Sequence, residues 1–327
     1  MMDRKKDGFV LVVVLWILAT LLIITFGMVE RVMLDHRAAM YALNQTEAMI
    51  MARGACARAT VDIRNKAFED AIKMAEIRNN PNANPNWQPT EHLGQAWAQP
   101  QQLHEDETLF EHLPDMENDY VGYSIIDAER FININGANEK MLDAVPNLDR
   151  GTLRKINVRR TKEIHKGEGV SHFQAIEELR YMDGIDEEDW FGNDKDPGLR
   201  DLFTIYGTSG TAINVNTASK DVLLSIPDLS SDVINGIIEH RSGADGELGT
   251  PDDQPFFGHV DLRDALKLQD ESYNIISQYC IYRSYHFIIK GVATLQGGKV
   301  RAECTSVVSV EGFFAREIAY KEEIFGT

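Results

Sequence analysis

The chain has 327 residues, long enough for a membrane segment and about two soluble domains, because domains usually contain roughly 100–200 residues. It has 33 basic and 51 acidic residues, a formal net charge of −18. This balance argues against a polyanionic partner, because affinity for nucleic acid depends mostly on phosphate neutralisation by Lys and Arg. The three cysteines, Cys56, Cys280 and Cys304, match no zinc-binding spacing. One pair could form a disulfide in an oxidising compartment, and the sequence leaves the pairing open.

The N-terminal segment of residues 8–29 contains no charged side chain and is dominated by Val, Leu and Ile. A helix of about 20 such residues crosses the roughly 30 Å hydrocarbon core of a bilayer. Arg4, Lys5 and Lys6 precede this segment. By the positive-inside rule they predict a cytoplasmic N-terminus, with the rest of the chain on the far side of an inner membrane. A secretory signal peptide is the weaker interpretation, because the apolar run is long and no A-x-A site follows it.

The boundary between Gly8 and Phe9 resembles the prepilin class of signal. A short basic leader is followed by Gly, and Phe then opens a long apolar helix. In that class the peptidase cuts after the Gly on the cytoplasmic side, and the apolar helix stays on the protein. Most members have Glu as the fifth residue of the mature chain, whereas Val13 occupies that position here. The pattern predicts a leader at residues 1–8 and a transmembrane helix at residues 9–29.

The helical pattern continues beyond the apolar segment. Residues 9–78 contain no proline, and apolar residues recur along them at helical spacing. This predicts one nearly continuous helix whose first part lies in lipid and whose remainder packs on a soluble domain. Two Asn-Pro steps within residues 79–89 end the helix.

Strand patterns occur on both sides of a helical block. Residues 121–135 predict two short strands turned at residues 127–129. Residues 280–325 predict strands around a Gly-Gly hairpin, followed by one more edge strand. The simplest account is an α+β fold, in which a long helix lies on an antiparallel sheet and an all-α domain is inserted.

The helical block contains an internal repeat. Residues 132–148 align without a gap on residues 213–229, and residues 172–190 correspond more loosely to residues 256–274. A period of about 80 residues is too long for a solenoid and predicts one duplicated helical domain at residues 132–279.

Each repeat resembles a helix-hairpin-helix module, a type of module that binds DNA phosphates through backbone amides at a Gly-rich hairpin. The turns at Pro146 and Pro227 lack the Gly pair, and residues 182–201 contain eight acidic residues against two basic ones. A basic cluster is present, but it is a local patch in an acidic protein: Arg154, Lys155, Arg159, Arg160, Lys162 and Lys166. The sequence therefore favours a structural use of the module without a nucleic-acid partner.

Residues 241–258 form a Gly-rich stretch that contains the carboxylates of Asp245, Glu247, Asp252 and Asp253. Hard oxygen donors on a flexible loop are the ligands that Ca²⁺ takes, at six to eight per ion. The spacing is not that of an EF-hand, and it is equally compatible with a solvated acidic turn. Without a cation, carboxylates this close would repel one another.

Catalytic patterns are missing from the sequence. It contains no G-x-S-x-G, H-E-x-x-H, P-loop or dinucleotide fingerprint, and its nine His residues are scattered. We therefore expect a protein that is not an enzyme.

Taken together, these features resemble the K-type minor pseudopilin of the bacterial type II secretion system, the general secretion pathway protein K family. The resemblance covers most of the chain. It depends on DGFVLVVVLWILATLL without the usual Glu, HLGQAWAQP and the strand after it, FININGA and INVNTAS with their helical repeats, and RSGADGELGTPDD. It implies a pilin-like domain formed by residues 30–131 and 280–327 around the inserted α-domain.

The resemblance also implies a function and partners. The chain would be a tip or initiation component of a periplasmic pseudopilus needed for protein export. Its partners would be the I and J minor pseudopilins, the major pseudopilin, the inner membrane and the prepilin peptidase, which would cut between Gly8 and Phe9. The alternative is a membrane-anchored helix-hairpin-helix DNA-binding protein of competence uptake.

The resemblance further implies Ca²⁺ bound in the α-domain. Asp245, Asp252 and Asp253 are its best-supported ligands, and Glu247 and Asp261 are further candidates.

Overall fold

A computed structural model describes residues 4–80, 87–103, 119–145, 148–161, 172–193, 195–208, 210–312 and 314–326. Short 3₁₀ helices lie at Ala96–Ala98, Ala128–Arg130 and Ile176–Tyr181. The helices and strands, in chain order, are α1 (Arg4–Asn79), β1 (Gln101–Gln102), β2 (Tyr120–Asp127), β3 (Ile132–Asn133), α2 (Glu139–Asp143), α3 (Arg150–Thr161), α4 (Glu187–Phe191), α5 (Leu199–Leu202), β4 (Phe203–Thr204), β5 (Ile213–Asn214), α6 (Lys220–Leu224), α7 (Ser231–Arg241), α8 (His259–Leu266), α9 (Asp270–Tyr279), β6 (Cys280–Ile281), β7 (His286–Leu295), β8 (Val300–Glu311) and β9 (Phe314–Gly326).

Helix α1 dominates the shape of the chain. It has 76 residues and is about 110 Å long at 1.5 Å per residue. The long helix predicted from the proline-free pattern is confirmed. Residues 9–43 are exposed, and burial of one face begins at Asn44.

An antiparallel sheet in the order β1-β2-β7-β8-β9 lies against the second half of α1. Alanines form much of the helix face that packs on the sheet, and Gly291 of β7 lies beneath it. A Cβ at Gly291 would collide with the carbonyl oxygen of Ala52, so the helix backbone touches the sheet at this point. The predicted α+β class is confirmed by this helix on a sheet and by the further helices.

A second hydrophobic cluster contains buried residues from Ile132 to Tyr282 and is separate from the cluster between α1 and the sheet. Its fully buried side chains come from both repeats, for example Met141 and Ile156 from the first and Leu223 and Ile237 from the second. We call residues 132–282 the helical part. Its short helices are each too small to bury an apolar face alone, and together they enclose one core.

The two repeats share their hydrogen bonds as well as their sequence. Arg160 of α3 and Arg241 of α7 occupy equivalent positions, and each guanidinium closes its repeat by donating to two carbonyl groups. The acceptors are equivalent residues: Ile134 at 2.8 Å and Ala137 at 2.5 Å for Arg160, and Val215 and Ala218, both at 2.5 Å, for Arg241. The predicted duplication therefore extends to individual side-chain contacts.

In the second, looser stretch of the repeat, the structure pairs residues of the two copies in a register that is shifted by one residue from the sequence alignment. The side-chain amide of Asn135 exchanges two hydrogen bonds with the backbone of Phe173, and that of Asn216 does so with Phe256. Phe173 is thus equivalent to Phe256, although the sequence correspondence placed His172 there.

One strand prediction is confirmed and another differs from the structure. The turn expected at residues 127–129 is a 3₁₀ helix at Ala128–Arg130, and the expected second strand follows it as β3, which has two residues and pairs in parallel with β4. The strand expected from residue 280 is interrupted, because β6 pairs in parallel with β5 and β7 begins only at His286. The β5–β6 pairing joins segments that are far apart in the sequence, and local alternation does not reveal it.

Candidate functional site

The first half of α1 is long and apolar enough to cross a membrane, and none of its most apolar stretch is buried within the chain. The hydroxyls of Thr20 and Thr25, the only Ser or Thr side chains of residues 9–29, donate to the carbonyl oxygens of Trp16 at 2.7 Å and Leu21 at 2.6 Å. The helix therefore satisfies these polar groups internally, as a lipid environment requires. This part of α1 fits a membrane anchor.

The predicted processing boundary lies near the N-terminal end of the same helix. Gly8 and Phe9 are both helical, and the Phe9 side chain is 72% exposed. The apolar run therefore begins on an exposed helical surface.

Asp252 organises the loop between α7 and α8. Its Oδ2 accepts hydrogen bonds from the backbone N–H of Ala244 at 2.7 Å and Asp245 at 3.2 Å. Its Oδ1 accepts from the Thr250 hydroxyl at 2.8 Å. These donors, the Thr250 hydroxyl first, lower the pKa of Asp252 to about 2. The carboxylate is therefore charged at neutral pH.

Asp253 holds the same loop against the segment that precedes β1. Its Oδ2 accepts from the backbone N–H of Gly249 at 2.9 Å. The Gln99 side chain in turn donates to the Gly249 carbonyl at 2.9 Å. A Cβ at Gly94 would lie 2.9 Å from the carbonyl oxygen of Thr250, so the loop and this segment touch through their backbones. The acidic loop is thus docked, a feature that its composition did not predict.

The remaining candidate calcium ligands lie in the loop, at Asp245 and Glu247, and in the first turn of α8, at Asp261. Asp245 accepts from the backbone N–H of Glu247 at 2.8 Å, and Glu247 is exposed. Asp261 accepts from the backbone N–H of Phe257 at 2.9 Å, at the start of α8. Within the described ranges, no group of three or more His, Cys, Asp or Glu side chains is arranged to hold a metal ion. The donors fit Ca²⁺ in chemical kind, and backbone contact brings Asp245 close to Asp252.

A buried polar joint, which the sequence analysis missed, connects the sheet to the helical part. We use this name for the carboxylates of Glu91, Asp127 and Glu129, all at most 2% exposed, and their partners. Glu91 accepts from Lys66 Nζ of α1 at 2.6 Å and from the backbone N–H of Ser284 at 2.6 Å. Burial is the main cause that raises the pKa of Glu91. Through these two contacts, Glu91 connects Lys66 of α1 to Ser284, just before β7.

Asp127, at the end of β2, lies at the centre of the joint. Its Oδ2 accepts from the Asn214 side chain at 2.9 Å and from the Thr217 hydroxyl at 2.5 Å. Its Oδ1 accepts from the backbone N–H of Glu129 at 2.8 Å. Burial raises the pKa of Asp127 to about 7, and the neighbouring Glu129 charge adds to the shift.

Glu129 extends the joint to two further segments. It accepts from the backbone N–H and hydroxyl of Thr208, from the backbone N–H of Tyr285 and from that of His286. The imidazole Nδ1 of His286 lies 2.8 Å from Glu129 Oε1, the oxygen that also accepts from Thr208. A sequence signal was present, since Asp127 and Glu129 interrupt the apolar alternation, but it indicated only a turn.

Contacts within the chain occupy much of the basic cluster on α3. Arg159 pairs with Glu178 at 2.9 Å, and Lys155 donates to the Asp183 carbonyl at 2.7 Å. Arg154 is exposed, Arg160 closes its repeat as described above, and Lys162 and Lys166 lie outside the described residues. This surface does not favour the DNA-binding alternative.

Comparison with known proteins identifies the fold. No protein-family model and no curated protein matches the chain. Among solved structures, it is similar to a chain in the crystal structure of the GspK-GspI-GspJ complex from the type 2 secretion system of enterotoxigenic Escherichia coli. The TM-score is 0.54 at 10% sequence identity, over 88% of this chain and 99% of that chain. The predicted resemblance is confirmed at the level of fold: the chain shares the fold of a subunit of this complex.

Proposed function

We propose that the chain is a minor pseudopilin of the K type, which initiates or caps the periplasmic pseudopilus of a type II secretion system. The observation that carries this proposal is an exposed apolar helix of membrane-spanning length on a fold that matches a pseudopilin over 88% of the chain. In this proposal the helix packs with neighbouring subunits and the large helical part forms a bulky end. The protein acts as an assembly component rather than as an enzyme.

The proposed topology follows from the charges around the apolar helix. Prepilin peptidase removes residues 1–8 by cutting between Gly8 and Phe9. The remaining helix holds the subunit in the bacterial inner membrane before assembly. The basic residues of the leader keep the N-terminus cytoplasmic, and the bulk of the chain is periplasmic.

Val13 supports the tip position. A Glu within the apolar run is costly in lipid unless it is paired. In ordinary pilin-like subunits its expected partner is the N-terminal amine of a neighbour. A subunit with no neighbour ahead has no such partner, so an uncharged residue at this position fits the end of the pseudopilus.

The proposed partners are the I and J minor pseudopilins and, below them, the major pseudopilin. The test is co-purification of the tagged full chain from detergent-solubilised membranes of cells that produce the I and J proteins. We expect both to elute with the full chain. Elution of the chain alone, while I and J still bind each other, would contradict the proposal.

A mobility-shift assay with DNA on residues 30–327, at several salt concentrations, distinguishes the DNA-binding alternative from the secretion function. Tight and steeply salt-dependent binding would support the alternative and contradict the secretion function. We expect no such binding from a chain with a net charge of −18.

We also propose that the acidic loop binds Ca²⁺ through Asp245, Asp252 and Asp253, with Glu247 and Asp261 as further candidates. Bound there, the cation would neutralise the carboxylates and rigidify the loop. Calorimetry on residues 30–327 tests this, and we expect Asp252→Ala with Asp253→Ala to weaken uptake by roughly tenfold or more. The matched control is Asp183→Ala with Asp228→Ala, two exposed carboxylates outside the loop. Equal uptake by both double variants would refute these ligands.

A further inference from the structure

Cys56 of α1 and Cys304 of β8 meet where the helix lies closest to the sheet. Cys56 is 4% exposed and Cys304 is 0% exposed. The Cys56 thiol donates to the carbonyl oxygen of Cys304 at 2.9 Å. Gly291 is the cross-strand partner of Cys304, and a Cβ added there would lie 3.1 Å from Cys56 Sγ. The missing side chain at Gly291 therefore leaves the space in which the two cysteines approach each other.

The two thiols also influence each other's ionisation. Hydrogen bonding with Cys56 is the main cause that lowers the pKa of Cys304 to about 7. The same interaction raises the pKa of Cys56. This interaction favours the thiolate form of Cys304, and the thiolate is the species that attacks a disulfide.

Cys280 has a different environment. It lies in β6, opposite Ile213, within the hydrophobic cluster of the helical part. Burial alone raises its pKa, to about 12. Two cysteines must bring their Cα atoms within about 7 Å to form a disulfide. Cys56 and Cys304 lie in the same hydrophobic cluster and in contact, whereas Cys280 lies in the other cluster.

We propose that Cys56 and Cys304 form a disulfide that fastens the long helix to the sheet. This inference rests on the proposed periplasmic location, because disulfides persist in oxidising compartments. The bond would link residues 248 positions apart and enclose the whole helical part between them. It would hold α1 on its own sheet while the exposed part of the helix packs with other subunits.

The reaction is thiol–disulfide exchange with an oxidised dithiol, either a protein oxidoreductase or glutathione disulfide. The Cys304 thiolate attacks one sulfur of the oxidant, forming a mixed disulfide and releasing one thiolate. The Cys56 thiolate then attacks the Cys304 sulfur and releases the second. Two cysteine thiols lose two protons and two electrons, and the oxidant becomes two thiols. Since neither sulfur is accessible in the finished fold, exchange takes place before α1 docks or during local opening.

The test compares two variants with equal numbers of thiols. Full chains with Cys280→Ala or Cys304→Ala are unfolded and reduced, then returned to detergent buffer with a glutathione redox couple. After acid trapping and unfolding, free thiols are tagged with a maleimide. We expect Cys280→Ala to lose both tagging sites, with a mass lower by two hydrogens and no glutathione adduct, while Cys304→Ala oxidises much less. Retention of both sites in Cys280→Ala, or equal oxidation of the two variants, would overturn the proposal.

A second measurement uses the wild-type full chain from cells whose thiols are blocked at harvest. Peptide mapping is expected to recover Cys56 linked to Cys304 and Cys280 blocked as a free thiol. Protease treatment of spheroplasts shows the location of the same chains. A protease-accessible chain with Cys56 and Cys304 free would overturn the disulfide. An inaccessible chain would contradict the proposed location, and the redox-buffer result would still decide the disulfide.

Discussion

Replacing Arg241 by alanine is expected to lower the free energy of unfolding by about 3 kcal/mol or more. The side chain is 2% exposed and closes the second repeat by donating to the carbonyl oxygens of Val215 and Ala218, both at 2.5 Å. Burial lowers the pKa of its guanidinium to about 10, so the group remains charged at neutral pH. Truncation would leave two carbonyl groups without their charged donor in a closed core. Urea unfolding of residues 30–327, followed by intrinsic fluorescence and circular dichroism, measures the loss.

The chain supplies its own control for this substitution. Arg160 makes the same two contacts in the first repeat but is only partly buried. Because water can replace part of its hydrogen bonding, we expect Arg160→Ala to cost about 1 kcal/mol. Equal losses in the free energy of unfolding for the two variants would contradict the prediction that deeper burial makes the loss of Arg241 more costly.

Stability is expected to fall as the pH rises from about 4 to about 7, because of Asp127. Burial raises its pKa from 3.8 to about 7 in the folded chain, so the folded state holds a proton that the unfolded state has released. This contribution is complete below pH 4, is lost progressively up to pH 7, and amounts to about 4 kcal/mol at most. The raised pKa of Glu91 acts in the same direction. Urea unfolding of residues 30–327 at several pH values in this range measures the slope.

Asp127→Asn is expected to reduce this slope, since the amide cannot titrate. The matched control is Asp252→Asn, because hydrogen bonds lower the pKa of Asp252 to about 2. Its contribution is present above the unfolded pKa and is lost only as the pH falls towards 2. This control should therefore leave the slope between pH 4 and pH 7 unchanged. If Asp127→Asn kept the wild-type slope, the buried carboxylate would not be its source.

The pH prediction bears on the proposed assembly function. Glu91, Asp127 and Glu129 connect α1, the end of β2 and the start of β7 to the helical part. A subunit that caps a pseudopilus needs its bulky part held firmly on the helix that packs with its neighbours. Changes at this joint are therefore expected to affect assembly as well as stability.

Features with a short-range signal were predictable from the sequence. A proline-free run with helical spacing predicted α1, and an uncharged apolar segment predicted the anchor. The Gly-Gly turn between β7 and β8 predicted their hairpin, which pairs as expected. The duplication was visible because both copies retain the same residues at positions that close the repeat, including Arg160 and Arg241. Local propensity and periodicity act over a few turns or one hairpin, so these features appear in the linear pattern.

Features that depend on distant segments were decided only by the tertiary structure. The sequence left the cysteine pairing open, and the packing of α1 on Gly291 selects Cys56 and Cys304. It indicated a turn at Asp127, whereas burial against Asn214 makes that carboxylate the centre of a joint. The parallel pairs β3–β4 and β5–β6 join segments that are far apart in the sequence, so alternation within one segment did not reveal them. Burial, pKa and pairing depend on which segments meet in space, and spacing along one chain does not contain that information.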